Sequence, residues 1–331
     1  MHRLVLQLTL VSLLYLVGCS DSNQFQPTPP PDGPSSWRIA YNEFGVNFRE
    51  VFFLDAATGW IVGSDNIILS TASGGLLWSE APVNTFSEIL NGVHFVTTQN
   101  GWLASDLNGT SPAGRVLRSI NGGAYPETQL LVSGPMYSVF FADQQQGWAV
   151  GSGGLVAKTV DGGLNWEQEI LENAGALYSV KFVSPQKGWI SGQSGGIYRT
   201  LDGITWQKQE LDVDADILSM HFVDSLNGWA CGTGNTVLRW RSSGGQPASW
   251  SARRIEGELI NQQWRDIFFV DEENGWLVGQ SGRIYKSTDG GENWVLEITE
   301  AQGMLNSVHM ISTRRGWIVG NNGLIIEYAP R

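Results

Sequence analysis

Cysteine is nearly absent: the 331 residues contain two, Cys19 and Cys231. Two cysteines so far apart provide no disulfide framework, which excludes the small stapled scaffolds of secreted proteins. Charge is also scarce, at 16% of residues, and it leans acidic, with a formal net charge of −12. An acidic fold repels phosphate backbones, so nucleic acid is excluded as a partner, and the same charge favours solubility. No stretch carries apolar residues at helical spacing, and beyond Val17 no apolar run is long enough to cross a bilayer. Helical bundles and multi-span membrane proteins drop out on those grounds.

What is plentiful is glycine and tryptophan, 41 and 15 residues respectively. Short apolar runs broken by glycine-rich turns indicate an all-β protein. Gly-Trp pairs recur at 59–60, 101–102, 147–148, 188–189, 228–229, 275–276 and 316–317, at intervals of 40 to 47 residues. Four short strands and their turns need about 40 residues, the size of one propeller blade. Within a repeat, Leu177 to Ser184 alternates as an innermost strand, Trp189 opens a second, Ile197 to Thr200 forms a third, and Trp206 starts the outermost. Each innermost strand begins with an apolar residue: Phe48, Leu90, Met136, Leu177, Ile217, Trp264 and Leu305.

The ends of the chain indicate how the repeats are arranged. A tryptophan precedes the next Gly-Trp tryptophan by 23 residues at Trp166, Trp206 and Trp294, and Trp37 stands at the same distance from Trp60 with no repeat before it. The last repeat stops at Arg331 without an outer strand. Trp37–Tyr41 is therefore expected to complete the seventh blade and close the ring, as closed propellers require to protect their edges. The expected fold is an all-β seven-bladed β-propeller over residues 37–331.

The segment before it is an address. Met1-His2-Arg3 is followed by an apolar stretch from Leu4 to Val17, the layout of a signal peptide spanning residues 1–18. It ends in Leu16-Val17-Gly18-Cys19, which resembles the bacterial lipobox. That resemblance implies cleavage before Cys19 and its lipidation, hence a cell-envelope protein facing the periplasm or exterior. Ser20 in place of an aspartate favours the outer membrane in a Gram-negative cell. Residues 19–36 carry Pro27, Pro29, Pro30, Pro31 and Pro34 and form an extended tether.

The third turn of the repeat carries an Asp-box, Ser/Thr-x-Asp-x-Gly-x-x-Trp. Two copies are complete, around Asp161, Gly163 and Trp166 and around Asp289, Gly291 and Trp294, and a copy one residue shorter holds Asp202 and Trp206. An aspartate here accepts N–H bonds inside its own turn, glycine supplies positive φ, and tryptophan packs beneath. The boxes are expected to be structural staples.

A repeat built from Ser-Val-His-Phe-Val-Asp, Gly-Trp-x-Val-Gly and Lys/Arg-Thr-x-Asp-Gly-Gly-x-x-Trp resembles the photosystem II stability/assembly factor family of plants, cyanobacteria and bacterial relatives. The resemblance runs from Trp37 to Arg331. It implies a non-enzymatic propeller scaffold that binds a protein partner, a subunit of a membrane complex, and it brings photosynthesis with it. It also implies an arginine-rich patch on one face, from which this sequence departs: its arginines show no such concentration. A monomer is expected, with no cofactor.

The remaining polar residues offer little chemistry. Sialidases also carry Asp-boxes, but their site needs converging arginines with a Tyr/Glu pair. Here only Arg49 and Arg265 stand at the start of innermost strands, and Arg38-Ile39 lies in the closing strand. His94, His221 and His309 share one repeat column with Phe52, Phe140, Lys181 and Phe268, which speaks for packing over metal binding. Ser219 and Ser307 precede two of them without an acidic orienter, so no triad is expected. Arg118, Lys158, Arg199, Arg239 and Lys286 share a third-strand column and are expected to form inter-blade ion pairs or hydrogen bonds. A carbohydrate-binding propeller or a sialidase-like hydrolase is the alternative reading. The surface expected to bind a partner comprises the blade-linking loops and the turns between second and third strands, with Asp212, Asp214, Asp216, Glu256 and Glu258 as candidate contacts and the insertion Asn108 to Gly114 as a further piece.

Overall fold

Each Gly-Trp pair exists because two aromatic rings meet there, and that contact repeats around a ring of seven sheets. The computed structural model describes residues 24–25, 37–42, 45–83, 88–108, 113–124, 126–241 and 248–328. The leader, Cys19 and most of the proline-rich stretch lie outside the described residues. Seven antiparallel sheets follow one another, with innermost strands Phe48–Phe53, Ile89–Phe95, Met136–Phe141, Leu177–Ser184, Ile217–Phe222, Trp264–Phe269 and Leu305–Ser312. These open blades one to seven. Trp37–Tyr41 pairs with Ile325–Tyr328 at the outside of blade seven, with Trp37 opposite Tyr328 and Ile39 opposite Ile326. The closing strand is held further by an Arg38–Glu327 ion pair, and the Trp37 indole donates to Glu297 of blade six.

Blade one carries a fifth strand that the tether expectation did not include: Gln24–Phe25 pairs antiparallel with Trp78 and Ser79. Part of the proline-rich stretch thus lies along the blade edge.

The blade contact is a sandwich. In blades one to six a phenylalanine at or near the end of the innermost strand lies across the glycine of its own Gly-Trp pair; a Cβ at Gly59, Gly101, Gly147, Gly188, Gly228 or Gly275 would come within 3 Å of that ring. In blades two to six the tryptophan of the preceding blade stacks on the other face of the ring. Centroid distances are 3.6 Å for Trp60–Phe95, 3.5 Å for Trp102–Phe141, 3.8 Å for Trp148–Phe182, 4.0 Å for Trp189–Phe222 and 3.6 Å for Trp229–Phe269. Glycine is therefore needed for space at these positions, where the backbone is ordinary strand.

The same indoles read the Asp-box of the next blade. Trp60, Trp102, Trp148 and Trp229 donate from Nε1 to the carbonyls of Gly122, Gly162, Gly203 and Gly290, at 2.8 to 3.2 Å. In blades five and seven Trp240 and Tyr328 occupy the strand position that holds the box Ser or Thr elsewhere. The indoles of Trp189 and Trp276 then meet those rings edge-on, at 5.9 and 5.8 Å. An aromatic replaces the lost turn as the packing partner.

Toward the axis the blades are joined by side chains of the innermost strands. His94, His221 and His309 each accept, at Nδ1, the backbone N–H of the next blade's Phe141, Phe269 or Phe53, at 3.1 to 3.4 Å. Two residues earlier, Glu50, Ser138, Asp266 and Ser307 accept the N–H of Val93, Val180, Val308 and Val51. Cys231 is free and buried in the core, and burial pushes its thiol up, as expected of a small hydrophobe.

Two measurements test this account. Gly188→Ala drives a methyl group into the Phe182 ring and should cost about 1–3 kcal/mol in urea denaturation. The Gly188→Ala/Phe182→Leu double variant should lose less than the sum of the two single changes; strict additivity would refute the sandwich.

The second concerns pH. Burial, with help from the Lys181 charge, lowers His94 and His221 from 6.5 to about 3, and His309 likewise. A base with a depressed folded pKa lends stability that is full above 6.5 and is lost as pH falls toward 3. Glu50 acts oppositely: burial raises it from 4.5 to about 7, so the folded state holds a proton the unfolded chain lacks, and stability falls as pH rises through that window. Glu50→Gln removes the opposing contribution, so its stability should fall more steeply than the wild type's on acidification from pH 7 to 4.5. Equal slopes would show that Glu50 is ionised in the fold.

Candidate functional site

Antiparallel blades divide their turns between two faces. Asp-box turns and the turns after the innermost strands lie on one face; blade-linking loops and the turns between second and third strands lie on the other. The channel mouth opens on the second.

Its lining is set by a backbone feature repeated seven times. Every innermost strand slips register against its neighbour near its start, between Phe48 and Glu50, Leu90 and Gly92, Met136 and Ser138, Leu177 and Ser179, Ile217 and Ser219, Trp264 and Asp266, and Leu305 and Ser307. A β-bulge re-aims the extra residue's side chain. The seven residues so placed are Arg49, Asn91, Tyr137, Tyr178, Leu218, Arg265 and Asn306, and all seven line a central cavity of about 570 Å³. Below them the cavity meets the His/Phe/Lys ring, whose neighbours touch at 4.2 to 5.6 Å from His221 through Phe268, His309, Phe52 and His94 to Phe140.

The acids around this cavity are engaged. Asp266 accepts bonds from the Ser219 and Ser307 hydroxyls (2.6 and 2.9 Å) and the Val308 N–H (2.8 Å), while burial raises its pKa. Asp216 accepts the Ser194 N–H at 3.0 Å and lies 3.5 Å from the Tyr178 hydroxyl. Asp106 accepts the Asn108 N–H at 2.9 Å. Burial lowers both Arg49 and Arg265; the Asp106 charge counters it at Arg49, and the Arg49 charge adds to it at Arg265.

The other candidate contacts separate by exposure. Asp212, Asp214 and Glu256 are exposed on the mouth face, joined by exposed Leu259 and Ile260. Glu258 is tucked in: its side chain is 7% exposed, pairs with Arg283 at 3.3 Å and accepts the Tyr285 hydroxyl at 2.7 Å. Most of the insertion after Asn108 falls outside the described residues.

The Asp-box residues sit on the opposite face as hydrogen-bonding centres of their own turns. Asp161 accepts the Asn165 N–H (2.9 Å) and the Thr159 hydroxyl (2.8 Å), and these bonds and the Asn165 amide hold its carboxyl down at about 2. Asp289 and Asp202 make the matching sets with Asn293 and Ser287 and with Ile204, Thr205 and Thr200. Gly163 and Gly291 have φ of 93° and 85°, and Trp166, Trp206 and Trp294 meet Phe141, Phe182 and Phe269 edge-on.

The third-strand basic column meets its expectation in part. Arg118, Lys158, Arg199 and Lys286 lie over Trp102, Trp148, Trp189 and Trp276 of their own blades, 5.1 to 5.9 Å from the ring centroids. The Gly-Trp tryptophan is each one's cross-strand neighbour, so cation–π contact is available without reaching another blade. Inter-blade bonds do form at Arg239 to Glu292 (2.6 Å) and Lys286 to the Tyr328 hydroxyl (3.1 Å).

Two features escaped the sequence reading. The bulges are one, since a one-residue slip leaves no compositional mark. The other is a set of exposed aliphatics at the Asp-box turns: Leu76, Ile120, Val160, Leu164, Leu201 and Ile204. Their repeat columns, next to the box hydroxyl and after its last glycine, were visible. Among the described residues no group of three or more His, Cys, Asp or Glu is arranged to hold a metal ion.

This geometry has close counterparts. Residues 124–201, 198–294 and 258–329 match the family described as "Photosynthesis system II assembly factor YCF48". The "Photosystem II assembly lipoprotein Ycf48" of Synechococcus sp. (strain CC9902) is 24% identical over 339 residues, covering 99% of this chain and 98% of its own. The structure "YCF48 bound to D1 peptide" superposes with a TM-score of 0.72 at 18% identity, over 92% of this chain and 98% of that one. "YCF48 from Cyanidioschyzon merolae" superposes with a TM-score of 0.70 at 19% identity, over 89% and 98%. With more than half of its length matched by the family and every blade in place, the chain belongs to the YCF48 photosystem II assembly factor family.

Proposed function

We propose that this propeller is a membrane-anchored assembly scaffold, held in the cell envelope by a lipidated Cys19, that docks a subunit of a membrane protein complex on its mouth face. The observation that carries this reading is the end-to-end alignment with a relative named as a photosystem II assembly lipoprotein, which spans the leader as well as the ring. A solved relative described as bound to D1 peptide supports the partner class. The docking face is chosen on surface chemistry: exposed acids Asp212, Asp214 and Glu256 beside exposed Leu259 and Ile260 make a polar rim around an apolar spot, and recognition loops on a rigid scaffold are the common arrangement.

Cross-linking in native membranes followed by mass spectrometry tests the proposal. Wild-type protein should capture one discrete membrane-complex subunit, and an Asp212→Lys/Asp214→Lys/Glu256→Lys variant should lose it. Cys19→Ala should move the protein from the membrane to the soluble fraction. Equal capture by the wild type and the charge-reversed variant would put the docking face elsewhere. Capture of no protein at all would defeat the scaffold reading.

A further inference from the structure

Below the mouth, the innermost strands line the cavity with Phe52, His94, Phe140, Lys181, His221, Phe268 and His309, one from each blade in turn. The three histidines each spend Nδ1 on a backbone N–H of the next blade. A ring nitrogen that accepts a hydrogen bond carries no proton, so in the neutral imidazole the proton sits on Nε2. Burial keeps all three rings neutral near pH 7, lowering them from 6.5 to about 3. Each therefore supplies one fixed N–H donor. Among the described residues no Nε2 has a hydrogen-bond partner, and none is sealed in the packing, so all three open on the cavity. Lys181 likewise makes no hydrogen bond there and no ion pair within 4.0 Å. Its charge nonetheless reaches all three histidines, which places the four groups around one space.

Four side-chain donors and no side-chain acceptor in one layer call for an anion. A metal ion would need an imidazole lone pair, but the one at Nδ1 is taken by the backbone and Nε2 holds the proton. The sign of the cavity agrees. Of its two buried acids, burial pushes Glu50 up to about 7, and Asp266 is spent on the Ser219 and Ser307 hydroxyls and the Val308 N–H. Open donors in a buried site are costly unless something fills them. The order of the donors selects the shape of the guest. They stand on blades two, four, five and seven, and Phe52, Phe140 and Phe268 fill the single blades between. A guest on the axis thus meets donors on every side. With ring neighbours 4.2 to 5.6 Å apart, opposite donors are too widely separated for one halide to touch both. A carboxylate offers two oxygens on one side, whereas a tetrahedral oxyanion offers four in four directions.

We propose that His94, His221, His309 and Lys181 form a site for a tetrahedral inorganic oxyanion, phosphate or sulfate, on the channel axis beneath the mouth. The three imidazoles donate from Nε2 and the Lys181 ammonium supplies the opposite charge, in a layer where charge-assisted hydrogen bonds are strong. The site uses no residue of the docking face and stands independently of the docking reading.

Proton–nitrogen NMR of the full-length protein carrying isotope-labelled histidine tests the site. Near neutral pH each of the three rings should show its proton on Nε2. Sodium phosphate and sodium sulfate, titrated separately with ionic strength held constant by sodium chloride, should move the three Nε2 signals saturably; the tighter binder names the occupant. Lys181→Met should weaken binding at least about tenfold. His221→Phe, which installs the residue that three other blades carry in this column, should weaken it as well. Arg49→Gln/Arg265→Gln should keep the saturable shift, which separates this layer from the mouth. Absence of a saturable shift with either anion in the wild type would overturn the proposal whatever the variants do. So would a proton on Nδ1 in place of Nε2, undiminished affinity in a folded Lys181→Met variant, or the same shift produced by sodium chloride alone. The two proposals fail separately: partner capture without anion binding leaves docking intact, and anion binding without partner capture leaves this site intact.

Discussion

The ring depends on a flat contact that repeats at five of its seven junctions: a phenylalanine laid across a glycine on its own sheet and covered by the indole of the sheet before. It sets the spacing and tilt of adjacent blades and buries two large rings at once. Such stacked pairs contribute about 0.5–1.5 kcal/mol beyond the area they bury. The indole then finishes its hydrogen bonding on a glycine carbonyl of the neighbouring Asp-box in four of the seven blades. The box is therefore less a motif in its own right than the far wall of the tryptophan's site. Where the box has eroded, Trp240 and Tyr328 rebuild that wall from aromatic surface.

Inside this apolar shell the innermost strands divide their work by position. The apolar residue before the bulge packs in the core, the polar third residues and the histidines at the fifth bond to the next blade, and the residue between is turned out of the sheet by the bulge. That bulged position faces the cavity, and its chemistry runs from Arg to Leu, with Asn91 and Asn306 also tied to the next blade. Stability and recognition thus occupy different residues of one six- to eight-residue strand, which is how one architecture carries unrelated functions. The histidines belong to the bonding set: with Nδ1 accepting a backbone N–H and burial holding them neutral, they are inter-blade fasteners.

Much of this was legible in the sequence because repetition turns packing into spacing. Seven Gly-Trp pairs gave the blades, seven apolar strand starts gave the core, and the interval from Trp37 to Trp60 gave the closure. The box aspartates announced their role through the Ser, Gly and Trp around them. The mouth was half legible: Arg49 and Arg265 shared a column, but nothing in residue identity says that a bulge re-aims it. Asp216 and Glu258 looked like their exposed neighbours, and only tertiary partners drew them inward. The basic third-strand column was half legible: Arg239 and Lys286 do bond to the next blade, but the cross-strand tryptophan contact on the same blade is invisible without register.

Closure by the N-terminal strand also sets an order of events. Trp37–Tyr41 has its place beside Ile325–Tyr328, so a chain emerging from its N-terminus must leave that strand unpaired until almost all of the polypeptide has followed. The entropy of joining ends this distant rises only slowly with length, but the contact is as non-local as the chain permits. Until that moment the first blade has no covered flank and the seventh no outer strand. The ring is complete only when the whole chain has been made, so a truncated product remains open at the seam.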